Sequence, residues 1–186
     1  EIILDKSNLQ YRILDPSEPH ALLSQNKSTR WHEDTISTHF RWDSTEHFCG
    51  MGHQAYGYVE SIDLSGRKAS CNYGEGKHQH WGPQGVLTVP FYMSSKGYGI
   101  FLNSTHHHQF HFGRNGRYGF SMHTKGFEGQ MDYFFMYGPH FRELLNQYTW
   151  LTGRPRLPQR YIFGLQLSDK GSPKHSGAEW WKKKIT

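Results

Sequence analysis

Histidine is the residue that could do the most chemistry here, with 14 copies in 186 residues. His106, His107, His108 and His111 lie close together. On a strand, His106 and His108 would face one way and His107 and His111 the other. Zinc needs three or four ligands on one side. Each face then offers two, so these read as strand or rim histidines, with a histidine metal protein as a remote alternative. His78 and His80 repeat the spacing on a loop. The cysteines, Cys49 and Cys71, form neither a CxxC metal spacing nor a disulfide framework. Without a GxSxG elbow for a serine nucleophile, buried structural thiols are the better reading.

Carboxylate pairs are the machinery of glycoside hydrolysis. The candidates are Asp43, Glu46, Glu75, Glu128, Asp132 and Asp169. Spacing alone builds no pair from them. Glu75 sits in 71–85, CNYGEGKHQHWGPQG, a Gly-rich stretch without periodicity that also carries Tyr73 and Trp81. Long irregular loops of this kind are often functional. Trp81 suits stacking on a sugar face and Glu75 suits accepting hydroxyl hydrogen bonds.

The elements that must position such residues are mostly strands. Aromatic content is 16% and Gly numbers 20, which favours a β-rich protein with many turns. Leu9–Leu14 alternates, Ala21–Leu23 is a short apolar piece, and Ser24–Ser28 reads as polar loop. Ile36, Thr38, Phe40 and Trp42 share one side of a period-two segment. His47–His53, HFCGMGH, is punctuated by glycine, and Gly66-Arg67-Lys68 reads as a turn. Val86–Ser94 and Tyr98–Leu102 pair across Ser95–Gly97, and His106–Phe112 returns through Gly113–Gly116 to Arg117–His123. Short strands at this spacing indicate an antiparallel sandwich.

The stretch from Met131 to Asp169 changes character. Met131–Tyr137 is an apolar run rich in β-formers, stopped by Gly138-Pro139. Phe141, Leu144, Leu145, Tyr148 and Leu151 then recur at helical spacing up to Gly153. After Pro155 and Pro158, Tyr161–Leu167 reads as a strand buried on both faces, with Asp169 at its C-terminal end. Ser176–Thr186 reads as helix. The prolines mark a joint, dividing the chain into 1–157 and 158–186.

The charge of +5 is scattered, and Lys182-Lys183-Lys184 is its only run. With no recognition motif, nucleic acid is not expected as a partner. No run of about 18 apolar residues and no signal pattern is present, so no membrane partner is expected. Glu1 opens the chain and Thr186 falls inside a helical pattern, so both ends read as cut.

The order of segments resembles glycoside hydrolase family 31, the α-glucosidase and α-xylosidase group, over most of residues 9–186. His47–Gly52 is similar to the family's FYGLGE. Gly66-Arg67-Lys68, Val89–Ser94 and Gly97–Phe101 follow in order. Met131–Pro139 is similar to LDYYFIYGP, and Tyr148–Pro155 with Leu157-Pro158 is similar to YTELTGRPPLPP. The resemblance implies a galactose-mutarotase-like antiparallel β-sandwich, then the first βα unit of a (β/α)8 barrel whose remainder is a partner. It implies an enzyme that hydrolyses or transfers α-linked glycosyl residues on an oligosaccharide or glycoside, without a cofactor. The family's nucleophile and acid/base lie on later barrel strands, so no catalytic residue is assigned. Counting from Arg67, Glu75 stands where the family's loop aspartate falls and Tyr73 where its asparagine falls. With Trp81 and Asp169 they form the expected substrate-binding set. His53 replaces the glutamate of the GLGE-like segment. The alternative reading is a non-catalytic carbohydrate-binding or structural module.

Overall fold

The structure is a computed structural model that describes residues 1–17, 20–53, 62–71, 87–124 and 129–164. It contains two compact units, Glu1–Thr152 and Gly153–Thr186.

In the first unit the described strands form two antiparallel sheets. The larger runs β1 (Ile2–Asp5), β2 (Gln10–Leu14), β3 (Ala21–His32), β4 (Thr35–Phe40), β10 (Tyr118–His123), β9 (His107–Phe112), β6 (Arg67–Cys71). The smaller runs β11 (Tyr133–Tyr137), β8 (Tyr98–Leu102), β7 (Leu87–Ser94), β5 (Phe48–His53). Alternation explains how they meet. In β4 and β9 every second side chain is buried: Ile36, Thr38 and Phe40 in one, His108, Phe110 and Phe112 in the other. These faces join Phe48, Met51, Tyr92, Tyr98, Ile100 and Leu102 of the smaller sheet in one core. Period-two burial on facing sheets makes a β-sandwich. Its centre is aromatic: Phe48 packs 4.9 Å from Tyr118 and 5.1 Å from Phe112 between ring centroids.

The outer face of the smaller sheet is covered by α1 (Phe141–Thr152). Leu144 is fully buried, and Tyr148 stacks on Phe91 at 4.2 Å with planes 7° apart. Gln147 donates its side-chain amide to Tyr137 O at 2.6 Å, tying the helix to β11. Gly153, at φ +102, follows as the left-handed residue that ends the helix.

Four expectations need correction. Ser24–Ser28 is not a loop but the middle of β3, a 12-residue strand. Its outward residues are polar because they face water. The inward Gln25 is satisfied, accepting from Tyr11 N–H at 3.1 Å and donating to Thr38 Oγ1 at 2.8 Å. Pairing with β2 and β4 on either side overrides the weak local preference, and bulges between Gln25 and Arg30 absorb the irregularity. Trp42 does not continue the inner row of β4. It lies beyond the strand end, half-exposed, with its ring where a Cβ on Gly113 would be. Arg67 and Lys68 belong to β6, and the turn is carried by Ser65-Gly66. Finally, Tyr161–Phe163 is not strand. Arg160–Phe163 forms a 3-10 turn, with Tyr161 and Phe163 about three-quarters exposed (76% and 74%). An apolar run becomes a strand only against a partner edge, and no described strand pairs with it. Residues 165–186, including the expected helix at Ser176–Thr186, lie outside the described residues.

Candidate functional site

The register of the two sheets sorts the chemistry-bearing residues to opposite ends of the sandwich. At one end β6 finishes at Cys71, opposite His108 of β9, while β7 starts at Leu87, opposite His53 of β5. These are the roots of the segment that holds Tyr73, Glu75 and Trp81. Those three residues lie outside the described residues, as does Asp169. The backbone beside the roots is unusual. Gly50, Met51 and Gly52 all have positive φ (+127, +66 and +69), across a register shift in the β5–β7 pairing. A Cβ on Gly50 would sit 2.5 Å from Phe91 O. Met51 has a Cβ and takes a conformation that costs about 1 kcal/mol. Its fully buried side chain offsets that cost. The GMG pattern therefore builds a bulge that ends β5 against the root of β7.

The histidine cluster gathers at this same end. His107 and His123 are direct cross-strand partners on β9 and β10. Their rings stack at 5.2 Å with planes 22° apart, and His123 Nδ1 shares a 3.0 Å hydrogen bond with Thr35 Oγ1. His108 points inward and is fully buried. Burial first, then the neighbouring His106, His107 and His123, holds its imidazole down to about 4. Burial and the nearby His123 and Lys68 push His107 down as well. With their pKa values lowered, His107 and His108 are neutral rather than cationic at pH 7. Among the described residues, no three His, Cys, Asp or Glu side chains could hold a metal ion. His107 and His111 face out and His108 faces in, as strand alternation requires.

Asp132 also lies at this end. Asn103 donates to it twice, backbone N–H to its carbonyl at 3.0 Å and side-chain amide to Oδ2 at 2.8 Å. The residue closes the β8–β11 connection.

Two other carboxylates from the sequence reading, Asp43 and Glu46, sit at the opposite end. Glu46 is 2% exposed. Its Oε1 accepts from Ser94 Oγ at 2.5 Å and Tyr98 OH at 2.6 Å, and its Oε2 lies 3.3 Å from Lys96 Nζ. Asp43 shares the same lysine at 3.2 Å. Hydrogen bonds from Thr45, then Lys96, hold Asp43 down to about 2. Behind Tyr98 the chain of hydroxyls continues, 2.5 Å to Tyr118 and 2.8 Å to Tyr92. These buried groups satisfy one another's hydrogen bonds. Near them, partial burial of Asp63 acts upward, but hydrogen bonds from Ser65 and His47 outweigh it and draw Asp63 down to about 2. Burial, then Asp63, pushes the Cys49 thiol up, which removes thiolate chemistry at neutral pH.

The sequence reading missed two functional-looking features. One is the burial of Glu46, for which no local signal exists because its partners are 48 to 52 residues away. The other is the convergence of His107 and His123 at the loop roots, which their symmetric placement about the Gly113–Gly116 hairpin turn could have revealed.

No family model matches the chain. It is 31% identical to an α-xylosidase of Lactiplantibacillus pentosus over 76% of its length, and 28% identical to an isomaltosyltransferase of Sporosarcina globispora over 73%. It spans 18% and 12% of those relatives' own lengths. Among solved structures it matches a glycoside hydrolase family 31 dextranase of Flavobacterium johnsoniae, complexed with glucose, at TM-score 0.71 and 27% identity, over 84% of this chain and 19% of that one. It also matches a cycloalternan-forming enzyme of Listeria monocytogenes, in complex with a pentasaccharide substrate, at TM-score 0.72 and 26% identity, over 88% of this chain and 16% of that one.

Proposed function

We propose that this relative of the glycoside hydrolase family 31 enzymes, to whose amino-terminal region the chain corresponds, acts in its intact form as a retaining α-glycoside hydrolase or transglycosylase. The observation that carries the reading is the joint likeness of sequence and fold, 26–27% identity with TM-scores above 0.7 over at least 84% of the chain. The nucleophile and acid/base lie outside this sequence. A retaining mechanism uses two carboxyl groups about 5 Å apart, one as nucleophile and one switching from acid to base.

In this reading the galactose-mutarotase-like sandwich, residues 1–157, supports a (β/α)8 barrel. It lends the segment between Cys71 and Leu87 to the sugar site. Glu75 accepts hydrogen bonds from substrate hydroxyls, Tyr73 flanks it, and Trp81 stacks on a sugar face. Asp169 completes the substrate-binding set. Helix α1 offers the barrel an apolar surface, with Phe141, Leu145 and Trp150 exposed by 44%, 46% and 79%.

The intact protein should release sugar from α-glucosides, α-xylosides or isomalto-oligosaccharides with retention of the anomer, read by NMR. Glu75→Ala should weaken kcat/KM on small substrates about tenfold. Sugar binding with no turnover on this panel would replace the enzyme reading with a non-catalytic module. Unchanged kinetics of Glu75→Ala would remove the loop from the site.

A further inference from the structure

At the margin of the larger sheet, away from the loop roots, β1, β2, β3 and Arg41 enclose an open groove of about 710 Å³. Ile3, Arg12 and Ser24 stand side by side across three strands. Arg41 is tied to the third of these by its N–H to Ser24 O, at 2.8 Å. Asp5 and Gln10 form the next row on the same face.

The groove has a definite polarity. Arg12 and Arg41 are both exposed, and neither makes an ion pair with a described carboxylate. Asp5 is oriented by Ser7, whose N–H and hydroxyl both bond its Oδ1, at 2.9 and 2.6 Å, while the Asn8 side chain and the Arg12 charge also act on the carboxylate. The side chains of Gln10 and Ser24 make no hydrogen bond to another described residue. Two guanidinium forks therefore flank a floor of one hydroxyl, one amide and one fixed carboxylate oxygen.

We propose that this groove binds a carboxylate-bearing sugar residue. The sugar's carboxylate lies between Arg12 and Arg41, and its ring hydroxyls bond Gln10 and Asp5. Planar guanidinium forks match a carboxylate in two-point geometry. The volume falls in the range of small-ligand sites. Asp5 sets the class. Its negative charge repels a compact multiply charged anion such as phosphate, whereas it accepts from a hydroxyl on a larger ring. A neutral sugar would use the hydroxyl partners but leave Arg41 without a counter-charge and Arg12 with Asp5 alone. The proposal is independent of the hydrolase reading, because it concerns a second site and is read by binding rather than turnover.

The test is isothermal titration calorimetry of the intact protein with galacturonate and glucuronate oligosaccharides, with isomaltotriose and inorganic phosphate in parallel. At least one uronate should bind saturably. Arg12→Gln and Arg41→Gln should each weaken it about tenfold. Both side chains are exposed, so the variants should keep the parent Tm. Arg→Lys at either position should fall between parent and Gln, because it keeps charge but loses the fork. Equal affinity for isomaltotriose or for phosphate would overturn the ligand class. Absence of saturable uronate binding, or binding unchanged in both Gln variants, would overturn the site.

Discussion

Replacing Glu46 is the sharpest test of how the sandwich is held closed. The residue is 2% exposed and serves three donors: Ser94 Oγ at 2.5 Å, Tyr98 OH at 2.6 Å and Lys96 Nζ at 3.3 Å. Tyr98 uses its proton on Glu46. Tyr118 can then donate to Tyr98, and Tyr92 to Tyr118, so every hydroxyl proton in the chain points toward the carboxylate. Burial, followed by neighbouring charge, raises all three phenols far above their ordinary range, so each keeps its proton. Glu46→Ala leaves Ser94 and Tyr98 without their carboxylate acceptor at once, and Lys96 with Asp43 alone. Breaking a buried pair by deleting one partner costs about 3–5 kcal/mol, a large part of the roughly 5–15 kcal/mol that holds a domain folded. Glu46→Gln keeps the acceptor for Tyr98 but turns an amide toward Lys96, and should cost about 1–3 kcal/mol. Tyr118→Phe cuts the hydroxyl chain behind Tyr98, at about 1–2 kcal/mol. The assay is urea denaturation of the parent and the four variants, the fourth being the Glu46→Gln/Tyr118→Phe double variant. If the hydroxyls act as a unit, the double variant should differ from the sum by about 0.5 kcal/mol or more. A Glu46→Ala cost below about 1 kcal/mol would refute the argument, as would strict additivity in the cycle.

Two more predictions rest on single contacts. Tyr148→Ala removes the ring stacked on Phe91 at 4.2 Å and set edge-on to Phe101 at 5.4 Å, so it should cost about 2–4 kcal/mol in denaturant and expose α1 to limited proteolysis; an unchanged proteolysis pattern would count against that attachment. His108 has a folded-state pKa of about 4 against an ordinary 6.5, so between those values the unfolded chain binds more protons. Its contribution is whole above about pH 6.5 and is lost as pH falls to about 4, by about 3 kcal/mol. Asp43 and Asp63, held near 2, lose their contribution only below the ordinary carboxylate value of 3.8, outside this window. His108→Leu should reduce the slope of stability between pH 6.5 and 4, leaving the smaller part due to His39, His107 and His111, and the same slope in both proteins would refute the assignment.

Legibility followed the range over which each feature is determined. Helix α1 was readable because its buried Leu144 and Tyr148 are spaced by the helix itself, and Gly153 marks its end locally. The β7–β8 and β9–β10 hairpins were readable because Gly97, Gly113 and Gly116 supply positive φ within the turns. Strand β3 was not. Its polar middle becomes strand only through pairing with β2 and β4 on either side. The run after Pro158 failed in the opposite sense: Tyr161–Phe163 has the composition of a buried strand but no described edge to pair with. At the candidate site, types and spacing singled out the loop residues, while the histidines that meet at its roots needed the cross-strand register. Six acidic residues looked alike in one dimension. Three-dimensional pairing separates Glu46, consumed by its hydroxyl network, from Asp132, which extends the β8–β11 pairing through Asn103.

The two ends of the sandwich are therefore specialised by what their polar groups are free to do. At the Glu46 end the buried donors and acceptors are matched to one another, which fixes the closing of the two sheets and leaves nothing to offer a ligand. At the loop-root end, backbone strain at Gly50–Gly52 and a stacked pair of imidazoles meet where three strands release their connecting segments. A scaffold can hold such a strained, polar rim only if rigidity is supplied elsewhere. It follows that loosening the Glu46 network should disturb the distant loop roots: in Tyr118→Phe, the His107 and His123 ring resonances should shift or broaden in NMR spectra, although no atom near them has changed. Unperturbed histidine signals in a destabilised Tyr118→Phe protein would show that the two ends are held independently.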